Sequence, residues 1–553
     1  MSAALTDNWL DRLTATARRR PGAPAVTSAA GAAAEGLPDY ADVTFGELDE
    51  WSDALAQRFA AAGMTAGVRT IVLVNPGPEL YAILFGLFKT GAVPVVIDPG
   101  MGLRPMLRCL AAVDPQAFVG LPQAHAVRVL FRRGFRGVGA KVTVGRRWFW
   151  GGHTLAGLGR KPVGERPPTA PAGDDELLMI AFTTGSTGPA KAVELTHGNL
   201  AAMLAQTQAV TAVTAEESAL VTLPMFGVLY LLLGAQVVLP PLVPSKVGDT
   251  DPRHVVDAVN RFRVRTMFAS PALLGPLLDH ARTHEVVMPT VRAVFSGGAP
   301  VPAAVVTGLR EVLSADAQVH AGYGATEAIP MSTIESRELL DGLIERAQSG
   351  DGTCIGRPVD GVEVRVIAVT DAPLEGWAQA QPLRGAIGEL VVSGPNVSTR
   401  YHWPAAANLT GKIADGDRTW HRTGDLGRID DEGRIWFCGR KSQRVETGAV
   451  TLHPVQVEQV FNAAPGVART ALVGVGDRGA QRPVLCVETS PGADAAAVLD
   501  GLRERGARFP LTAQIDRFLV HPQFPVDIRH NAKIGREELA VWAATRLTRG
   551  AQS

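Results

Sequence analysis

The sequence predicts an α/β protein with more than one domain, and three observations carry that prediction. At 553 residues the chain is too long for a single compact core. Short apolar runs that read as buried strands alternate with helical stretches: Ile71-Val72-Leu73-Val74, then, after Asn75-Pro76-Gly77-Pro78, an apolar helix through Lys89, then Val93-Pro94-Val95-Val96-Ile97-Asp98-Pro99. Strand, helix, strand at this spacing is the pattern of parallel α/β architecture. After Gly439 the texture changes. Strands at Thr470 to Val475 and Val484 to Glu488 precede a helix near Asp494 to Arg505, all within about a hundred residues, a common domain size. No repeat of fixed period is present.

In chain order, residues 8 to 20 have the pattern of an amphipathic helix, and the alanine-rich segment from Ala29 to Ala34 reads as a loose connection. A second α/β unit runs from Met106 through Gly120, and the Gly- and Pro-rich stretch from Gly159 to Asp175 connects onward. Leu177-Leu178-Met179-Ile180-Ala181 is a buried strand, Val193-Glu194-Leu195 another, and Thr196 an N-cap for the helix after it. Leu223 to Ser245 carries no Asp, Glu, Lys, Arg or His. Gly227, Gly234, Pro240, Pro241 and Pro244 interrupt it, so a buried helix followed by a strand fits better than a membrane span. Further strands are expected at Arg265 to Ala269 and Val291 to Phe295.

An apolar fraction of 46% and a charged fraction of 20% are ordinary for a globular enzyme. The 54 basic residues balance the 54 acidic ones, so no global field recruits nucleic acid or an anionic membrane, and Arg132, Arg133 and Arg136 read as a solvated face. Cys109, Cys354, Cys438 and Cys486 show no metal-ligand or redox spacing, which suits buried thiols in a reducing cytoplasm. Asp7 and Asp11 sit close to the first apolar residues, unlike the start of a signal peptide.

The chemistry centres on the loop after Ala181: Phe182-Thr183-Thr184-Gly185-Ser186-Thr187-Gly188-Pro189-Ala190-Lys191-Ala192. Small residues let the backbone approach an anion, hydroxyls and N–H groups donate to phosphate oxygens, and the lysine neutralises charge. The pattern reads as a polyphosphate cradle. A Walker-type loop needs glycine before the lysine and Ser or Thr after it; Ala190 and Ala192 stand there instead.

With four further motifs in the same order, the chain resembles the adenylate-forming superfamily of acyl-CoA synthetases, peptide-synthetase adenylation domains and firefly luciferase, from about residue 45 to 540. The resemblance implies a large multi-sheet N-terminal domain, residues 1–439, that binds ATP and the acyl group. It also implies a small mobile α+β C-terminal domain, residues 440–553, that carries a catalytic lysine. Thr183, Thr184, Gly185, Ser186, Thr187, Gly188 and Lys191 would hold the β- and γ-phosphates of ATP. Ser296-Gly297-Gly298-Ala299-Pro300 would line the adenine pocket. In Gly322-Tyr323-Gly324-Ala325-Thr326-Glu327, Tyr323 would stack on adenine beside Gly324, Thr326 would bind the α-phosphate and Glu327 would hold Mg²⁺. Asp425 of Arg422-Thr423-Gly424-Asp425 would take the ribose hydroxyls with Arg440 of Gly439-Arg440-Lys441-Ser442, and Ser442 would be the hinge. Lys533, within Phe524 to Gly535, would bridge the attacking carboxylate and the α-phosphate.

Within the superfamily, two segments depart from the CoA ligases. After the hinge the chain reads Glu446-Thr447-Gly448-Ala449-Val450-Thr451, without the flanking basic residues that would suit the phosphates of CoA. The expected substrate pocket has Phe226 and Gly227, with glycine where many ligases have histidine. Asp98-Pro99-Gly100-Met101-Gly102, Met267 to Leu274 and Trp436-Phe437-Cys438-Gly439-Arg440-Lys441-Ser442 resemble the β-lactone synthetases of bacterial olefin and β-lactone biosynthesis. That resemblance implies adenylation of a β-hydroxy acid and closure of a β-lactone by its own hydroxyl. Pathway enzymes that make or consume the acid are the implied partners; nucleic acid and a transmembrane segment are not. The alternatives are a fatty acyl-CoA or acyl-carrier-protein ligase and, from another class, an inert nucleotide-binding scaffold, against which Lys191, Glu327, Asp425, Arg440 and Lys533 argue.

Overall fold

Strands separated by helices pair in parallel, because each crossover helix returns the chain to the end of the sheet from which the previous strand started. The computed structural model describes residues 8–32, 36–165, 169, 173–183, 190–242, 244–526 and 534–550. In it Leu177–Phe182, Val93–Val96, Arg69–Leu73, Ala117–Gly120, Ala140–Thr143 and His153–Thr154 lie side by side and parallel. Two antiparallel strands, Ala192–Thr196 and Tyr401–Trp403, complete this eight-stranded sheet at the Leu177–Phe182 side. A nine-stranded sheet contains the parallel run Gln236–Leu239, Ser218–Val221, Thr266–Ala269, Ala293–Ser296 and Gln318–Ala325.

The two sheets share one core. The helix Pro78–Thr90 is buried from Leu80 to Lys89 and belongs to one hydrophobic core with Val119 of one sheet and Val237 of the other. A helix apolar on every side has no solvent face and belongs between layers. Its one buried charge, Lys89, is held by the helix Phe45–Ala61: Nζ lies 2.6 Å from Asp53 Oδ1, 2.9 Å from Asp49 Oδ1 and 2.7 Å from Ser52 Oγ. Removing one member of a buried ion cluster leaves the others uncompensated. Lys89→Met is therefore expected to destabilise the fold by about 3–5 kcal/mol, read as an earlier denaturant midpoint.

A third, antiparallel sheet is built around Glu363–Ile367, Gly388–Ser393, Arg418–Ile429 and Ile435–Arg440. Beyond it come the hairpin Val445–Glu446 and Thr451–Leu452 and the three-stranded sheet Val467–Val475, Arg482–Thr489 and Phe518–Val520, with the helices Pro454–Asn462, Ala495–Ala507 and Arg536–Gly550. The class is α/β, a large multi-sheet region followed by a small α+β one, as the sequence predicts.

Local signals hold up well. Thr196 caps the helix His197–Thr211 through a capping box: Asn199 N donates to Thr196 Oγ1 at 3.2 Å, and Thr196 N to Asn199 Oδ1 at 3.0 Å. The uncharged stretch forms the helix Pro224–Leu232 and the strand Gln236–Leu239. Among the described residues no helix is long and apolar enough to cross a membrane. All four cysteines are free and buried.

One expectation is overturned. The alanine-rich segment does not begin as a loose connection, because the strand Pro24–Ala32 pairs with Pro38–Thr44 on one side and Gln236–Leu239 on the other. Residues 33–35 lie outside the described residues. Ladder hydrogen bonds use the backbone alone, so a neighbour on each side recruits a strand whose side chains give little signal.

Candidate active site

The strand Leu177–Phe182 and its antiparallel partner Ala192–Thr196 form a hairpin with the glycine-rich loop at its tip. Thr183 N donates to Lys191 O at 2.9 Å, and Lys191 N to Thr183 Oγ1 at 3.0 Å, closing the neck. Thr184, Gly185, Ser186, Thr187 and Gly188 lie outside the described residues, as does Lys533. The segment holding Lys533 starts and ends at a bridge between Val526 and Ile534.

Thr183 and Lys191 open into a cavity of about 800 Å³. Its polar end also takes in Gly298, Tyr323, Gly324, Thr326, Glu327 and Arg440. These arrive from three places: the hairpin, the strand ends after Ala293–Ser296 and within Gln318–Ala325, and the antiparallel sheet. Ligand sites in open α/β sheets form at such carboxyl ends of parallel strands. Glycine is required at Gly322, where a Cβ would lie 2.2 Å from the Phe295 ring, and Gly298 adopts φ +86°, in the left-handed region. Ala299 and Pro300, expected beside Gly298, are not part of the cavity wall.

Asp425 and Arg440 face each other across the strand pair Arg418–Ile429 and Ile435–Arg440. Arg440 Nη1 lies 2.9 Å from Asp425 Oδ1, and the Tyr323 hydroxyl donates to Asp425 Oδ2. The Arg440 guanidinium is pushed up by Asp425, and the Tyr323 hydroxyl well above its ordinary value by burial and then by the same carboxylate. The sequence motifs are thus one connected triad, with a carboxylate whose charge is balanced before any ligand arrives.

Glu327 is buried, and Tyr401 Oη donates to its Oε1 at 2.7 Å. Lys191 Nζ lies 4.9 Å from the Tyr401 ring centre and Lys412 Nζ 5.0 Å. Burial lowers Lys412 to about 7, with Lys191 acting the same way and Glu327 opposing. Burial, and then Lys412, lower His421 to about 3. His421 Nδ1 sits 3.1 Å from Gly411 O, a pure acceptor, so the neutral ring carries its proton there. Burial raises Glu327, but His421, the Tyr401 hydroxyl and Lys412 outweigh it and hold the carboxyl below its usual range.

Tyr401, Lys412 and His421 were not legible as site residues. Tyr401 reaches the site only because its strand adds to the edge of Ala192–Thr196, two hundred residues earlier in the chain. Its immediate neighbour Arg400 is pinned there too, pairing with Glu194 at 2.9 Å.

The remaining cavity is apolar, with Val72, Leu80, Phe88, Met203 and Leu229 in its wall. Phe226 lines it, stacked on Phe268 at 3.9 Å between ring centres. Gly227 does not. It lies behind the wall, where a Cβ would come within 2.1 Å of the Tyr81 hydroxyl, which donates to Pro224 O at 2.9 Å. The glycine makes room for a buried tyrosine rather than for a ligand. Gly227→Ala is therefore expected to cost about 1–3 kcal/mol through overpacking, seen as a lowered unfolding midpoint.

Ser442 is exposed in a short 3₁₀ turn, Lys441–Gln443, where the chain leaves the antiparallel sheet. Lys441 Nζ lies 3.0 Å from the buried Glu389 carboxylate, which also binds Arg422 at 2.6 Å. The turn is anchored on the sheet side by charge.

Among known proteins, the chain is 44% identical to an olefin beta-lactone synthetase of Stenotrophomonas maltophilia over 98% of its own length and 99% of the relative's. It is 44% identical to another from Xanthomonas campestris, covering 96% of each chain. A feruloyl-CoA synthase of an Amycolatopsis species is 29% identical over 79% of this chain and 81% of that one. Among solved structures, the amide bond synthetase McbA of Marinactinospora thermotolerans superposes with a TM-score of 0.78 at 23% identity, covering 97% of this chain and 99% of that one. The AMP-binding enzyme family matches residues 13–402, a span that contains the glycine-rich hairpin, the Gly322 to Glu327 strand end and Tyr401 of the edge strand. With the cavity these elements enclose, that match makes the chain a member of the AMP-binding enzyme family.

Proposed function

We propose that this protein is an AMP-forming ligase that activates a β-hydroxy carboxylic acid with ATP and closes it to a β-lactone. The observation that carries the reading is the 44% identity, sustained over nearly the whole of both chains, to two olefin beta-lactone synthetases. The CoA-forming relative stands at 29% and leaves part of each chain unmatched.

In this reading the glycine-rich hairpin with Thr183 and Lys191 takes the β- and γ-phosphates, the turn at Gly298 with Tyr323 takes adenine, and Asp425 with Arg440 takes the ribose. Asp425 suits that task because its charge is already balanced, so its remaining lone pairs can accept from neutral hydroxyls. Among the described residues no group of three or more His, Cys, Asp or Glu could hold a metal ion. Glu327, ionised and facing the cavity, fits a Mg²⁺ ion that takes its other oxygens from nucleotide and water. When bound, that ion would offset charge on the phosphate oxygens.

The acid's alkyl part fits the apolar wall around Leu80, Met203, Phe226 and Leu229, with its carboxylate toward Thr326. A carboxylate oxygen attacks the α-phosphorus, forming the acyl-phosphate bond and breaking the bond to pyrophosphate. Lys533 would stabilise the charge shared by the two anions as they meet. The acid's own β-oxygen then attacks the activated carbonyl carbon and AMP leaves, the hydroxyl proton passing to solvent. The nucleophile is tethered, so no second substrate is needed.

Residues 1–439 and 440–553 would form the two domains, with Ser442 in the joint. The end of the antiparallel sheet at Arg440 supports that division. Four free thiols fit a reducing cytoplasm. A partner enzyme would supply the hydroxy acid or consume the lactone.

Incubation of the pure protein with ATP, Mg²⁺ and 2-alkyl-3-hydroxy acids, with and without CoA, followed by NMR, tests the reading. A β-lactone formed without CoA is expected. A thioester that forms only with CoA overturns it.

A further inference from the structure

The helix His197–Thr211 lines more than the large cavity. Leu200 and Met203 face that cavity, whereas Gln206, Thr207, Val210 and Thr211 line a second, separate one of about 20 Å³. Leu200, Met203, Thr207 and Val210 fall three or four residues apart, so they form one stripe along one face of the helix. From Met203 to Val210 is seven residues, two turns or about 10 Å along the axis. The two cavities are thus successive stretches of one groove along this helix.

A stack of aromatic rings interrupts the groove. Phe226, Phe268 and Phe295, with Ile329 and Pro330, line both cavities. Phe268 and Phe295 are register partners in the parallel strands Thr266–Ala269 and Ala293–Ser296, so their rings leave the same face of the sheet. Their centres lie 5.7 Å apart, and Phe226 completes the stack at 3.9 Å from Phe268. The two strand-borne rings are buried, and Phe295 sits so close over Gly322 that a Cβ there would come within 2.2 Å of it.

Phe226 differs from them. It is partly exposed and belongs to the first turn of the helix Pro224–Leu232, outside the sheet. Tyr230, one turn further along that helix, lines the small cavity. Removing the Phe226 ring would therefore join the two cavities without cutting a strand. The stretch beyond it suits hydrocarbon: no charged side chain lines it among the described residues, and the Thr211 hydroxyl is taken up by Thr207 O at 2.7 Å.

We propose that Phe226 sets the length of acyl chain the enzyme accepts. The alkyl tail runs along the helix face past Met203 and stops against the Phe226–Phe268 pair, and the small cavity is the blocked continuation of its path. This rests on the apolar end of the large cavity being the acyl site, and not on lactone closure. A methylene that finds apolar room gains about fourfold in affinity, and one that meets the stack gains nothing.

Displacement of a bound fluorescent fatty acid by straight-chain 3-hydroxy acids of rising length reads the groove without turnover. Pyrophosphate release on the same acids reads it with turnover. Wild-type affinity is expected to rise about fourfold per methylene up to one length and to rise no further. Phe226→Ala should move that limit up by about three methylenes, so that acids beyond the wild-type limit gain about tenfold or more over acids at it. Phe226→Leu, a milder change that guards against loss of the fold, should move it by about one. Val210→Met alone should leave the limit in place, but in the Phe226→Ala background it refills the small cavity and should bring the limit back.

An unmoved limit in both Phe226 variants, or an equal loss at every length, would overturn the partition and leave the acyl site standing. A longer limit that Val210→Met does not reverse would overturn it as well. If no acid of any length displaced the probe from the wild type, the partition and the acyl-site reading would fall together.

Discussion

Lys533→Ala is expected to lower acid-dependent pyrophosphate release by about a hundred- to a thousandfold, the cost of removing one aimed charge from a charge-developing transition state. Nucleotide affinity should stay within about threefold, because in the proposed reading the phosphates and ribose would retain Lys191, Asp425 and Arg440. The reason is differential. Two anions repel as they approach, and a lysine between them is worth most when the new bond is half formed. Pyrophosphate release and binding of a fluorescent ATP analogue, measured on the same preparation, separate the effects. Equal loss of turnover and binding would assign Lys533 to ground-state binding; an unchanged rate would remove it from the mechanism.

Glu327→Gln is the second large effect. The amide keeps the shape and can still accept from Tyr401 Oη, now 2.7 Å from the carboxylate. It removes the negative charge that a hard cation needs and leaves Lys412 without its buried counter-charge. Pyrophosphate release should fall by about a hundredfold or more, and the Mg²⁺ concentration for half-maximal rate should rise well above that of the wild type. Tyr401→Phe, which keeps the charge and loses one hydrogen bond, should cost far less, about three- to tenfold. A Mg²⁺ titration of all three proteins checks the order. If Glu327→Gln retained the wild-type Mg²⁺ dependence, the carboxylate would have no part in holding the ion.

The fold was legible wherever a local signal existed. Hydrophobic runs located the strands Arg69–Leu73, Leu177–Phe182 and Ala293–Ser296, and Thr196 with Asn199 announced a helix start. These signals survive because burial on both faces of a parallel strand writes a continuous apolar run into the sequence. The strand Pro24–Ala32 had none, since alanine and glycine report neither period nor β propensity.

The site divides along the same line. Hydroxyls, glycines and charges at fixed spacing single out the glycine-rich hairpin, the Tyr323 to Glu327 turn and the Asp425 and Arg440 motifs, because each motif is a short run within one turn or strand end. Reading Gly227 as part of the pocket fails for the opposite reason: what fills the space beside it is Tyr81, from another helix.

By itself, then, the sequence determined the fold class, the order of the motifs and the chemistry of an AMP-forming, acid-activating ligase. Only the tertiary structure decided that Tyr401, Lys412 and His421 enclose Glu327, that Tyr323 ties to Asp425, and that Gly227 faces away from the cavity. Those relations depend on which strands become neighbours. Pairing partners are chosen by the free energy of the whole core, and that sum is not written at any one position in the chain.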